Sequence, residues 1–222
     1  MGQYYIPTLI NANGVINTLN SHRYNNGLKL MEHSYIGNKF VNAVCTLLWK
    51  NPTRLAWIGD YSDDEYGDPY EKKLPREEFL AYYKAAWSEE SGASEVHPRP
   101  RNVVTMKSRR YIVNHTRRCY INLREYIARG KWTERGCYVN GQYNPKETWD
   151  MCVHPLPLLT ACGNDRGGGD YHEGHPNYNR VGEWAFDLKL QRSFQPRMYR
   201  QEAGGLRQAR HHLHGTGTSR LR

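Results

Sequence analysis

Paired cysteines are missing from this sequence. Its five cysteines, Cys45, Cys119, Cys137, Cys152 and Cys162, are odd in number and include no C-x-x-C spacing. That argues against both a disulfide framework and a thiolate zinc site, and reduced cytosolic thiols are the expectation. Long apolar runs are also missing. The longest, about Val41 to Trp49, is broken by Asn42 and Thr46, well short of the roughly 20 residues that cross a bilayer. Met1 to Pro7 has neither the charged nor the apolar region of a secretory leader, and Ile6 stands where a myristoylation motif needs Ser or Thr. The expectation is a cytoplasmic chain with no membrane partner.

What is abundant is positive charge, Tyr and Trp. The 222 residues carry 31 Lys+Arg against 22 Asp+Glu, a net +9, with 17 Tyr and 6 Trp. The length allows one domain with a real core. The charge is unevenly spread: residues 97–135 hold 11 basic and 2 acidic residues, or +9, and residues 188–222 hold 8 and 1, or +7. Residues 1–96 and 136–187 are both acidic on balance.

Local patterns predict an α+β fold. Tyr4 to Ile10, the turn Asn13-Gly14 and Val15-Ile16 read as a hairpin. Ile36, Phe40, Val41, Val44, Cys45 and Leu48 fall on one helical face, with Ser34 as the expected cap and Pro52 stopping the helix. Leu55 to Ile58 reads as a buried strand. A second helix is predicted from Pro75, with Glu77 and Glu78 in its first turn and Phe79, Leu80, Tyr83, Ala86 and Trp87 on its apolar face. Tyr111–Val113 and Cys119–Ile121 predict another hairpin, and Asn122 with Glu125 resembles a capping box for a short helix to Ala128, ended by Gly130. Short strands are expected at Cys137–Val139, Met151–Val153 and Trp184–Phe186, and Leu156–Cys162 reads as an apolar segment broken by Pro157. The whole predicts a mixed or antiparallel sheet built from hairpins, with two main helices packed on one face, over residues 1–187. Residues 188–222 read as a basic disordered tail or, alternatively, as a cloning or frameshift product.

Three clusters are candidates for chemistry. In the 97–135 block Arg109, Arg110, Arg117, Arg118, Arg124 and Lys131 are interleaved with Tyr111 and Tyr120. Guanidiniums clasp phosphate and aromatic rings stack on bases, so this mix has the ingredients of a nucleic-acid or partner-binding surface. The alternative is that the tyrosines pack in the core while the arginines meet solvent or acidic neighbours. Arg166, Gly167, Gly168 and Gly169 form a second candidate, a glycine-rich nest for an anion such as a nucleotide phosphate. Beside it Asp170, His172, Glu173 and His175 have metal-ligand chemistry, and His154 is a candidate ligand or general base. Asp60, Asp63, Asp64, Glu65 and Asp68 lack the spacing of a calcium loop. No cofactor is expected.

Several segments also carry a resemblance: the opening MGQYY, NGLKLMEHSYIGNKF at 26–40, IGDY at 58–61, HPLPLLTA at 154–161 and RGGGDY at 166–171. Together they resemble an uncharacterised family of small bacteriophage and bacterial proteins over about residues 1–187. The resemblance implies a non-enzymatic effector that binds a host protein, such as a defence component, or a nucleic-acid complex. The alternative function is a phosphate-ligand binder or metal-dependent hydrolase centred on His154, Arg166, Asp170, His172 and His175.

Overall fold

The computed structural model describes residues 3–11, 13–14, 16–49, 51–62, 74–88, 93–101, 103–139, 142–163, 171, 177–192 and 199–202. The class is α+β. In chain order the elements are β1 (Tyr5–Ile10), β2 (Ile16–Thr18), α1 (Leu30–His33), α2 (Lys39–Leu47), β3 (Thr53–Gly59), α3 (Arg76–Trp87), β4 (Ser94–Glu95), β5 (Tyr111–Asn114), β6 (Cys119–Asn122), α4 (Leu123–Gly130), β7 (Trp132–Val139), β8 (Gln142–Met151), α5 (Pro155–Thr160), β9 (Ala161–Cys162), β10 (Leu188–Arg192) and β11 (Arg200–Gln201). Strands β7 and β8 pair with each other as a separate ribbon, and the rest form one mixed sheet in the order β11-β6-β5-β10-β3-β1-β2-β4, with β9 also on β3.

Strand β3 is the axis of the sheet. Along one side it pairs with all of β1, from Tyr5↔Gly59 to Ile10↔Arg54. Its other side is shared, β10 taking Thr53 and Arg54 and β9 taking Trp57 and Ile58. Alternate side chains of β3 enter two different cores: Leu55 and Trp57 join Phe40, Val41 and Val44 of α2, while Ala56 and Ile58 join Phe79 and Tyr82 of α3. Helices therefore cover both faces, which corrects the expectation of two helices on one face. It also explains why β3 is apolar throughout rather than alternating.

Local expectations hold where periodicity carried them. The first hairpin pairs Thr8↔Thr18, Leu9↔Asn17 and Ile10↔Ile16, and Gly14 sits at φ +75°, a conformation that glycine adopts without strain. Helix α2 presents the predicted apolar face, but its cap is Asn38, not Ser34: the Asn38 side-chain oxygen accepts from the amides of Phe40 (2.8 Å) and Val41 (3.3 Å). Ser34 instead ends α1, accepting from the His154 amide at its carbonyl. Helix α4 opens on Asn122, whose oxygen accepts from the Arg124 amide.

Three expectations are corrected. The segment around Pro157 is helical, because Pro155 and Pro157 lie in the first turn of α5, where amides have no intrahelical partner anyway. Trp184–Phe186 is a tight turn rather than a strand, with Phe186 at φ +64° and its ring edge-on to Tyr82 at 5.0 Å. Finally, the domain does not end at Asp187. Residues 188–192 are an interior strand of the sheet, and Arg200 and Gln201 pair with Cys119 and Tyr120. Lys189, counted from sequence as tail charge, is fully buried and donates its ammonium hydrogens to the carbonyls of Trp184 and Asp187. Among the described residues no helix is long and apolar enough to cross a membrane.

Candidate functional site

The β5–β6 hairpin divides the basic block between its two ends. Tyr111↔Asn122 closes one end and Asn114↔Cys119 the other, three residue steps or about 10 Å away. Arg109, Arg110 and Arg124 lie at the first end, tied together through the backbone because the Leu123 amide donates to the Arg110 carbonyl at 2.9 Å. Arg117 and Arg118 lie at the second. Lys131 is at neither: it follows α4 and pairs with Asp150 of the ribbon at 3.1 Å.

At the first end the cations are available. Among the described residues, Arg101, Lys107, Arg109 and Arg124 carry exposed side chains without an ion pair. The end of α2 joins them, since Thr46 Oγ1 donates to the Arg101 carbonyl at 2.9 Å, and Trp49 lies 5.1 Å from the Arg110 guanidinium, which stands over its ring. Arg110 is half-buried, and its Nη1 is shielded from solvent with no acceptor among the described residues. Burial lowers its pKa, while the Cys45 thiol nearby acts the other way. A guanidinium held flat on an indole with an unsatisfied nitrogen is preorganised for a phosphate oxygen. Trp49 was absent from the sequence candidates. It read as the apolar end of a helix, and its partner is far away along the chain.

At the second end the cations are consumed. Arg117 donates from Nε to Asp187 Oδ2 (2.9 Å), and its two terminal nitrogens donate to the Glu183 carboxylate (3.1 Å) and carbonyl (2.6 Å). Asn114 donates to the same Asp187 oxygen at 2.9 Å, and Arg180 bridges Glu183 to Glu202. Tyr120 is buried, with its hydroxyl on Gln201 at 3.1 Å and its ring edge-on to Tyr111 at 5.6 Å. Arg117 and Tyr120 are therefore structural, a correction to their expected role in binding. Arg118 is exposed in the turn at φ +51°. Asp187→Ala is expected to cost about 2 kcal/mol, since it strands buried Asn114 and the partly buried Arg117. The midpoint of a urea titration measures it, and the same variant should bind ligands at the first end unchanged.

His154 does not serve as a base or ligand. It is buried at the N-terminus of α5, where its Nδ1 accepts from the Leu156 amide at 3.1 Å. That leaves the proton on Nε2, which faces Cys45 Sγ at 3.7 Å. Burial presses the imidazole down to about 3 and pushes the Cys45 thiol up to about 12. Both groups are therefore neutral, and this Cys–His contact is core packing rather than an activated nucleophile. The described cysteines, Cys45, Cys119, Cys152 and Cys162, are all buried free thiols. Arg166, Gly167, Gly168, Gly169, Asp170, His172, Glu173 and His175 lie outside the described residues, as does most of the acidic loop. Among the described residues no group of three His, Cys, Asp or Glu side chains is placed to hold a metal ion.

No protein-family model, no curated protein and no solved structure matches the chain.

Proposed function

We propose that this chain acts by binding, and that the surface formed by Arg101, Lys107, Arg109, Arg110 and Arg124 holds a phosphate-rich strand, a single-stranded nucleic acid or the exposed strand of a nucleic-acid complex. The observation that carries this is the Arg110 guanidinium, stacked on Trp49 with a nitrogen lacking an acceptor and ringed by exposed, unpaired cations. Phosphodiesters supply the missing acceptors at the spacing of a chain, and cations without carboxylate partners are desolvated at lower cost than paired ones. If the phage resemblance reflects ancestry, the strand belongs to a host complex that the protein occupies without chemistry.

Fluorescence anisotropy with a labelled 12-nucleotide single strand tests this. Binding is expected to weaken steeply as salt rises. Arg109→Glu/Arg124→Glu should lower affinity at least tenfold and flatten the salt slope by about 2, one per lost phosphate contact. Absence of binding in about 50 mM salt, or a double variant that binds as tightly as the parent, overturns the proposal.

A further inference from the structure

From a second feature of the same end of the sheet we infer that the protein also has a nucleobase pocket, set beside the phosphate-binding cations and lined by asparagine amides. The inference rests on the phosphate surface proposed above but is carried by different residues. A cleft of about 370 Å³ opens where β1 ends and β2 and β3 begin. Asn11, Asn13, Asn17 and Asn51 line it, with Leu9 and Leu47 among its apolar walls. No ionised side chain lines it, so it suits a neutral ligand, in contrast to the cationic surface nearby.

The composition fits a flat heterocycle. A carboxamide carries a donor and an acceptor side by side, the arrangement that pairs with the edge of a nucleobase, while leucine side chains accept its face. Some of the amide capacity is already committed: Asn11 Oδ1 accepts from the Asn13 amide at 2.9 Å, which shapes the turn. Among the described residues no hydrogen bond engages the side chains of Asn17 and Asn51, so these two are the readers.

Position ties this cleft to the cations. Leu47 lines the cleft and Trp49 carries Arg110, and Asn51, only two residues or at most about 7 Å of chain beyond Trp49, lines the cleft again. Strands β1, β3 and β5 place the rest at the same end of the sheet: Ile10 pairs with Arg54 at the start of β3, and β5, parallel to β3 through β10, begins at Tyr111 immediately after Arg109 and Arg110. A strand lying across the end of α2, with phosphates on Arg101, Arg109 and Arg110, thus passes the mouth of the cleft and can turn one base into it.

The experiment compares a 12-nucleotide single strand with a 12-unit abasic phosphodiester of the same charge, on the full chain and on Asn17→Ala/Asn51→Ala, alongside ligand-observed NMR with free nucleosides. The expected result is that the base-bearing strand binds about tenfold more tightly than the abasic one. The double variant should abolish this difference while binding the abasic strand as the parent does, which also shows that the variant is folded. At least one nucleoside should give saturation transfer with the parent and not with the variant. Equal affinity for both strands, or a difference that survives the double variant, overturns the pocket while leaving the phosphate surface standing. Nucleoside binding without strand binding overturns the phosphate surface and keeps the pocket, and absence of both overturns the two together.

Discussion

Truncation after Asp187 is expected to abolish cooperative folding, whereas truncation after Glu202 keeps it. The first cut removes β10, whose residues pair with β5 from Lys189↔Asn114 to Arg192↔Tyr111 and with β3 at Leu188 and Lys189. No other strand joins the β6–β5 half of the sheet to the β3–β1 half. Its loss leaves two interior strand edges unpaired, frees the Trp184 and Asp187 carbonyls that Lys189 satisfies, and removes the Leu188 contacts to His115 and Thr116. With each lost hydrogen bond worth about 1 kcal/mol and stranded buried groups costing more, the total exceeds about 5 kcal/mol, the low end of a domain's whole stability. The second cut keeps every described strand and the Arg180–Glu202 pair. Thermal melts followed by circular dichroism decide it: a 1–187 chain that melts cooperatively within a few degrees of the full chain shows that β10 is dispensable.

Mild acid is expected to destabilise the protein by about 4 kcal/mol between pH 7.5 and pH 5, about 2 from each of two buried histidines. His33 and His154 are both neutral by construction of their hydrogen bonds. His33 Nδ1 donates to the Gly27 carbonyl at 3.0 Å and its Nε2 accepts from the Trp57 indole at 3.2 Å. His154 accepts at Nδ1 from Leu156. A second proton on either ring meets an N–H head-on and must be buried as a charge. Desolvation accordingly lowers His33 to about 4, against smaller opposing effects of the Gly27 carbonyl and the Glu32 carboxylate, and lowers His154 to about 3. Because both folded-state values lie below the unfolded value near 6.5, the unfolded chain binds more protons as pH falls. The stability is therefore complete above about pH 6.5, and the loss grows until the folded values are reached. His154→Asn keeps an acceptor for the Leu156 amide but does not titrate. It should remove about half of the pH dependence in urea titrations at the two pH values. A stability that is flat from pH 7.5 to pH 5 contradicts this account, as does an Asn variant with the full dependence.

The arginines show how a charge count is redistributed by folding. As a linear block, residues 97–135 look like one basic surface. In three dimensions Arg117 is spent on Glu183 and Asp187, some 66 and 70 residues later, and Lys131 on Asp150. Arg101, Lys107, Arg109 and Arg124 remain unpaired among the described residues, and Arg110 acquires an indole platform. Net charge measures the sum of these fates and is silent on which side chain meets which.

Sequence by itself determined the class of the fold, the first and third hairpin strands' pairing partners, the faces of α2 and α3 and the start of α4. Each of these depends on spacings of two to four residues, which side-chain alternation and helical turn make visible along the chain. The tertiary structure alone decided that α2 and α3 lie on opposite faces of the sheet, that 188–192 is an interior strand, that His154 is a buried cap, and that Trp49 underlies Arg110. The reason is physical: a five-residue strand such as β10 has too little pattern to stand out from a basic segment. The partner of a long charged side chain, moreover, is set by strand order and burial, which join residues tens of positions apart.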